Sequence, residues 1–518
     1  MSNDGYVNYE SGYHHHESAT FNDILVEQLR NTPWLLISLA IHVVIALILL
    51  YISTDSIDRQ KVNPFEVSAQ DTLEDEMIEE EVEEETEEIK PEEEVTEEPV
   101  IKDTEISDHN ETDNNEEWEE SKGEEDQISD KPFDGTQTND AIGLGGGAGG
   151  AFGGRRGGRR NLRALGGGGK TQRAVERGLE WLSNHQSQDG RWDCDNFMAN
   201  GDSKKGPLCD GKGIAMYDVG VTGLALLAFL GAGNTHREGP YKATVRKSLK
   251  WLKGQQDAEG CFGPRGDPHF TYNHGIGALA MAEAYGMTRS GIWKATAQNG
   301  INFVMKCQNP YKAWRYGERP GGNDISVSGW MVMALKSAKM SGLDMNDTAL
   351  QWAHDFCKEM TDEETGRTGY TKRGERPVRA EGRLEQFPAE ESESLTGVGM
   401  LIRIFAGEDP KSSAMCKAGS ELCAKRLPVW APKQGKVDMY YWYYATLSMF
   451  QVGGSEWTAW NNKMKGAIID HQREDGNYLG SWDNCGPWGE DGGRVYSTAV
   501  MTLCMEVYYR YGRVFGTK

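Results

Sequence analysis

Eight polar residues stand at the starts of strongly apolar stretches: Asp218, His274, Asp324, Glu391, Glu393, Asp438, Arg494 and Tyr496. Carboxylates so placed can act as general acids or bases when burial or a like charge lifts their pKa, and a histidine can relay a proton. Five consecutive aromatics, Tyr440-Tyr441-Trp442-Tyr443-Tyr444, begin two residues after Asp438. With Tyr441 and Trp442 added, the set describes an acidic, aromatic-lined pocket at one mouth of a cavity. Each residue also has a structural reading. Asp218 and Asp324 sit where a helix N-cap belongs, where a carboxylate accepts free backbone N–H groups for about 1 kcal/mol. Ser392 or Ser394 suits the same role. Asp438 and Arg494 make a buried ion pair as readily as a site, and His274 reads as a hydrogen-bonded core histidine.

Those residues need elements to position them, and the elements repeat. GLEWLSNHQSQDGRW (178–192) has helical apolar spacing, then Gln186-x-x-Asp189-Gly190-x-Trp192. The unit returns at 248–262 with Gln256, Gly260 and Phe262, and at 300–314 with Gln308 and Trp314. It returns again at 466–478 with Gln472, Gly476 and Tyr478, and two degenerate copies lie at 349–370 and 418–430. A helix apolar nearly all round follows each, so each second helix is expected to be buried all round. Gly223, Gly277, Gly329, Gly397, Thr446 and Ala499 align within them as a small residue. The first helix of each pair is amphipathic and belongs outside. The expected fold is therefore all-α: a closed toroid of six outer–inner helix pairs over residues 170–518, with no open solenoid end to cap.

This pattern resembles the α/α-toroid superfamily with prenyltransferase/squalene-oxidase repeats, which includes terpenoid cyclases and protein prenyltransferase β subunits. QxxDGxW at 186–192 is similar to the QW motif of the cyclases. YNHGIGALAMAEAYGMT, GWMVMALKSAKMSGL, YYWYYAT and EVYYRY resemble marks of an uncharacterised membrane-anchored bacterial branch, of planctomycete type, which brings no assigned reaction. The cyclases' Asp-x-Asp-Asp acid motif falls on Asp324-Ile325-Ser326-Val327, which keeps only its first Asp; Asp193-Cys194-Asp195-Asn196 is a near miss on an outer loop. The prenyltransferase zinc site falls on Asp438, Tyr440 and Ser497, which keep one ligand of three. No metal and no cofactor is expected. The nine cysteines contain no C-x-x-C, which fits that expectation, while Cys194 and Cys209 bracket one loop and could pair in an oxidising compartment.

The remaining third of the chain is of another kind. The run WLLISLAIHVVIALILLYI (34–52) carries no charged residue and spans roughly 28 Å as a helix, about a hydrocarbon core. It predicts a single-pass transmembrane helix over 34–53, after an N-terminal tail of 1–33. Ser38 and His42 form a polar pair one turn apart within it, a contact or proton-function signal at that depth. Ser-x-x-x-His in one N-terminal helix resembles TonB-type energy transducers. That resemblance implies a proton-channel partner of the ExbB/ExbD type, a cytoplasmic N-terminus and a periplasmic remainder. The net charge of −25 is local, because residues 71–130 hold 30 Asp and Glu against 3 Lys. Residues 54–141 thus read as an acidic disordered linker, and 142–169 as a Gly/Arg-rich linker whose partners are the acidic tract or anionic lipid headgroups. No nucleic-acid partner is expected.

Together these features describe a membrane-anchored envelope protein whose toroid binds a hydrophobic or glycan-like ligand or a protein partner. The alternatives are a terpenoid- or lipid-modifying enzyme with a rearranged acid at Asp218, Asp324 or Asp438, or a polysaccharide-active toroid.

Overall fold

The computed structural model describes residues 42–43, 162, 165–266, 269–380 and 382–510. The chain divides into two compact units, Met1–Glu120 and Ser121–Lys518. In the first, His42 and Val43 are helical and exposed. Ser38, the rest of the expected membrane helix, the acidic linker and most of the Gly/Arg-rich linker lie outside the described residues. Among the described residues no helix is long and apolar enough to cross a membrane.

Among the described residues of the second unit the regular structure is all helix, with two isolated β-bridges, Gln256 to Phe262 and Thr361 to Thr368. In chain order the helices are α1 (Gly169–Asn184), α2 (Asp218–Gly231), α3 (Lys242–Gly254) and α4 (Phe270–Thr288). Then come α5 (Gly291–Cys307), α6 (Ile325–Met340), α7 (Asp347–Met360) and α8 (Ser394–Phe405). The last are α9 (Ala414–Ala424), α10 (Met439–Val452), α11 (Gly454–Ile469), α12 (Gly489–Met505) and the short α13 (Val507–Arg510). Each even-numbered helix from α2 to α12 packs on the next, and α12 returns onto α2 to close an inner ring. The odd-numbered helices α1 to α11 pack around it as an outer ring.

Apolarity decides which helix goes where. Every residue of α2 and of α8 is buried. The outer α3 buries a single stripe, Val245, Leu249 and Leu252 with Thr244 and Ser248, and leaves its lysines outside. The aligned small residues let inner helices touch. A Cβ at Gly223 would come within 2.9 Å of Ile276 on α4, and one at Gly329 within 2.5 Å of Val398 on α8. One at Gly397 would lie 3.1 Å from the Ala445 nitrogen on α10.

The glutamine of each turn ties neighbouring outer helices together. Gln186 Nε2 donates to its own turn at Gly190 O (2.9 Å) and across to Thr244 O on α3 (3.0 Å). Gln256 does the same with Gly260 O and Thr296 O on α5, and Gln308 with Lys312 O and Ala349 O on α7. Gln472 closes the circle by donating to Gly480 O and to Ala174 O on α1, both at 2.9 Å. The ring at the end of the turn then donates its indole N–H one helix back: Trp192 to Leu182 O, Trp314 to Val304 O and Trp482 to Ile468 O.

The last copy corrects the sequence register. Its turn glycine is Gly480 and its ring Trp482, not Gly476 and Tyr478. A short 3-10 turn at Gly476–Tyr478 is inserted ahead of them. It is held by buried Asn477, whose amide donates to the carbonyls of Asp202, Gly206 and Pro207. Gly190 and Gly480 both have left-handed backbone (φ 101° and 95°), and a Cβ on either would lie 2.3 or 2.1 Å from a carbonyl of the next outer helix.

Candidate functional site

A ring of inner helices that all run the same way brings six N-terminal ends to one side. There they surround a cavity of about 510 Å3 to which each of the six contributes. Its apolar wall comes from Val221 and Leu224 of α2, Ile276 of α4, Trp330 of α6 and Leu395 of α8. Six tyrosines line it as well: Tyr217, Tyr272, Tyr316, Tyr370, Tyr440 and Tyr496. Trp330 stacks on Tyr443 at 5.6 Å and meets Tyr444 edge-on at 5.4 Å, which fills the barrel interior beside the cavity. Val378 to Ala380, from the segment between α7 and α8, complete the wall with Trp488 and Asp491.

The tyrosine hydroxyls fall into two chains that meet where Tyr272 lies beside Tyr316. Tyr272 donates to Ser326 Oγ at 2.9 Å, and Ser326 bonds the Tyr440 hydroxyl at 2.7 Å. The hydroxyls of Tyr316 and Tyr370 bond each other, and Tyr370 donates to Asp324 Oδ2 at 3.3 Å. The other oxygen of Asp324 accepts the Val327 N–H at 2.8 Å, so the residue caps α6. Asp324 is fully buried, and burial pushes its carboxyl up to about 7 against the bond from Val327, the charge of Arg315 at 3.9 Å and the bond from Tyr370. The same burial raises the Tyr370 and Tyr440 hydroxyls.

The remaining sequence candidates have other partners. Of the eight polar residues, Tyr496 lines the cavity and Asp324 lies one hydroxyl behind it. Asp218 does not cap α2 as expected: it is the first residue of the helix, and its carboxylate turns to the preceding loop, accepting the Cys194 N–H at 2.8 Å and Arg191 at 3.0 Å. Burial raises its carboxyl to about 6. Asp193, Asp195 and Asp218 offer carboxylate oxygens within 4.8 Å of one another, the grouping closest to a metal-ligand set among the described residues. Arg191 already bridges Asp193 and Asp218 there.

His274 accepts the Phe262 N–H at 3.1 Å. The corresponding N–H of Trp192, Trp314 and Trp482 goes to Thr222, Ser328 and Thr498. The imidazole thus takes the place of a repeated hydroxyl, and burial lowers it to about 3. Glu393 grips Arg367 with both oxygens, and Glu391 is half-exposed with Lys436 at 3.8 Å. Tyr441 donates to Cys423 O on α9 and packs edge-on against Trp460 of α11. Trp442 packs against Trp430. Both face the outer ring.

The expected Asp438–Arg494 pair does not form. Asp438 caps α10 through the Tyr441 N–H and accepts from Arg379 and Ser392, each at 2.9 Å. Arg494 instead reaches Asp210 at 2.6 Å and Asp483 at 2.7 Å, fastening α12 to two loops. Cys194 and Cys209 do not pair either. Cys194 donates to Gly492 O and Cys209 to Asn477 O, so the two ends of their loop are held at different places.

The cavity residues that the sequence did not point to include Tyr217, Tyr272, Tyr316, Tyr370, Trp330, Arg379, Trp488 and Asp491, and Tyr440 stood out only within the aromatic run and the lost zinc site. One signal was present for the hydroxyls, since Tyr272 to Ser326 and Tyr316 to Tyr370 are both spaced by 54 residues, one repeat.

No protein-family model and no curated protein matches the chain. Among solved structures, the type II terpene cyclase MstE from Scytonema is 12% identical at a TM-score of 0.41, over 65% of this chain and 97% of that one. An inactive variant of the alpha-1,6-mannanase GH76A of Salegentibacter sp. HEL1_6, in complex with alpha-1,6-mannotetrose, is 10% identical at a TM-score of 0.44, over 65% and 98%. A protein from Actinoplanes is 14% identical at 0.40, over 66% and 99%. At this distance none of their activities transfers to the chain.

Proposed function

We propose that the toroid is a binding domain for a small, mostly apolar molecule held among the N-terminal ends of the inner helices. The cavity of about 510 Å3, walled by six tyrosines and by Trp330 and Trp488, carries this reading. Cavities of this size, apolar with a few convergent polar groups, are the usual form of a small-molecule site. A sugar ligand would call for a wide, wet groove. This cavity has an apolar wall, and among the residues lining it Asp491 supplies the carboxylate, where glycoside hydrolysis needs two facing each other. The domain is read as tethered to a membrane by residues 34–53 and held in the envelope on its acidic linker.

One observation favours a second reading, an enzyme acting on a terpenoid or lipid substrate. Asp324 is a buried carboxyl pushed up to about 7 and joined to the cavity wall by one tyrosine hydroxyl. Asp218 and Asp438 fit the acid role less well, because a guanidinium bonds each carboxylate directly, Arg191 at 3.0 Å and Arg379 at 2.9 Å, whereas Arg315 stands 3.9 Å from Asp324.

The test is native mass spectrometry of the protein followed by solvent extraction. A discrete bound mass of lipid or isoprenoid character supports the site. A clean apo mass that stays apo with added lipid extract overturns it and moves the function to protein partners.

A further inference from the structure

We propose that the cavity selects a ligand carrying a hydrogen-bond donor, an alcohol rather than an ether or a ketone, because Asp324 fixes the direction of the Tyr370–Tyr316 hydroxyl chain. This rests on the reading of the cavity as a ligand site and says what that site recognises.

The argument follows the protons. Asp324 has two oxygens, and the Val327 N–H takes one at 2.8 Å. The other, as a carboxylate, can only accept, so Tyr370 must donate to it. With its proton committed, the Tyr370 oxygen accepts from Tyr316; Tyr272, the other hydroxyl beside Tyr316, spends its own proton on Ser326 at 2.9 Å and so does not fill the Tyr316 lone pairs. Tyr316 then has no proton left for the cavity that it lines and offers lone pairs instead. A ligand hydroxyl donating to that oxygen completes the chain. An ether oxygen facing it meets acceptor against acceptor, a mismatch that costs binding.

The groups facing Asp324 favour the carboxylate form at alkaline pH. Arg315, on the loop after α5, lies 3.9 Å from Oδ2, and its guanidinium also sits over the rings of Tyr316 and Tyr370. Tyr370 comes from the loop after α7, Tyr272 from α4 and Tyr440 from α10; all are phenols and neutral there. From its own helix, the backbone of α6 supplies the capping N–H. Protonating Asp324, or replacing it by Asn, turns the acceptor beside Tyr370 into a donor. The chain then runs the other way, and Tyr316 donates into the cavity. Asp324 is thus a positioning residue that acts through two tyrosines.

The experiment compares cyclododecanol with its methyl ether, by titration calorimetry on the full chain in one lipid nanodisc preparation. Partition into lipid is then common to all variants. At pH 8.5 the unaltered protein is expected to prefer the alcohol by about tenfold, the worth of one hydrogen bond. Asp324→Asn, which keeps a good N-cap, is expected to reverse the preference, and so is the unaltered protein at pH 5.5. Tyr370→Phe cuts the chain, so Asp324→Asn is expected to have no further effect on the ratio in that background. If alcohol and ether bind alike, or Asp324→Asn leaves the ratio unmoved, this inference falls while the binding site stands. If neither probe binds any form, the binding-site reading falls with it.

Discussion

The guanidinium of Arg379 donates to the carboxylate of Asp438 at 2.9 Å, with only 3% and 4% of the two side chains exposed. The same carboxylate caps α10 and accepts from Ser392. One buried anion therefore holds an inner helix, the entry to α8 and the segment that lines the cavity at Val378 to Ala380. Arg379→Ala leaves that anion without its countercharge and is expected to cost about 3–5 kcal/mol. Asp438→Asn keeps the cap but leaves the Arg379 guanidinium buried without a countercharge, and should cost a comparable amount. Chemical denaturation of both variants checks this; a loss below about 1 kcal/mol for Arg379→Ala would show the pair to be solvated after all.

Each turn glutamine serves two carbonyls with one amide. Gln308→Ala leaves those of Lys312 and Ala349 without that donor, at a cost on the order of 1–3 kcal/mol. Gly480→Ala should destabilise by a comparable or larger amount through a left-handed backbone and a collision with Arg177 O. Melting temperatures of the two variants decide; an unshifted value for either would remove the clamp from the account of stability.

Asp324 makes stability depend on pH. Its carboxyl titrates near 7 in the fold against an ordinary 3.8. Between those values the folded protein holds a proton that the unfolded chain has released. The contribution is full below about pH 4 and is lost as pH rises through about 7. Asn does not titrate. The melting temperature of Asp324→Asn relative to the unaltered protein should therefore climb from pH 5 to pH 8, and a difference flat with pH would contradict the buried carboxyl.

His274 works with the opposite sign. Its imidazole is lowered from 6.5 to about 3, so the unfolded chain gains a proton first as pH falls. Stability from this group is present above about pH 6.5 and drains as pH falls toward 3. Replacing it by Ser, the hydroxyl type that Trp314 meets at Ser328, should lessen the acid sensitivity of the fold. Calorimetry between pH 4 and 7 reads the slope; a steeper slope in the variant would exclude the structural assignment.

The Ser38-x-x-x-His42 spacing is the ground on which we propose a coupling of the chain to a proton-channel complex. Such a complex should co-purify with the full chain from membranes, and His42→Ala should abolish the recovery. Equal recovery from the variant ends the proposal.

The toroid was legible because its inner helices are apolar on every face and carry a small residue at near-repeat spacing. Those are packing constraints that composition records directly. The Asp324 cap and the core role of His274 were legible for the same reason, being local to one helix and its turn. The wall of the cavity was not. Tyr316, Tyr370 and Arg379 lie in connections without periodicity, and nothing in such a segment says which way it folds back. The five-aromatic run misled in one respect. At about 100° per residue, successive rings point to different sides. Tyr440 faces the cavity, Tyr443 and Tyr444 the interior, and Tyr441 and Trp442 the outer helices.

Closure by Gln472 on Ala174 joins residues 298 positions apart. An open array can grow one repeat at a time, but a circle whose last member holds its first has no finished state until the final helix is made. High sequence separation of native contacts slows folding, so the domain must wait on the ribosome for its C-terminal pair. A chain stopped before α11 would yield an unfolded product for proteolysis rather than a shorter ring.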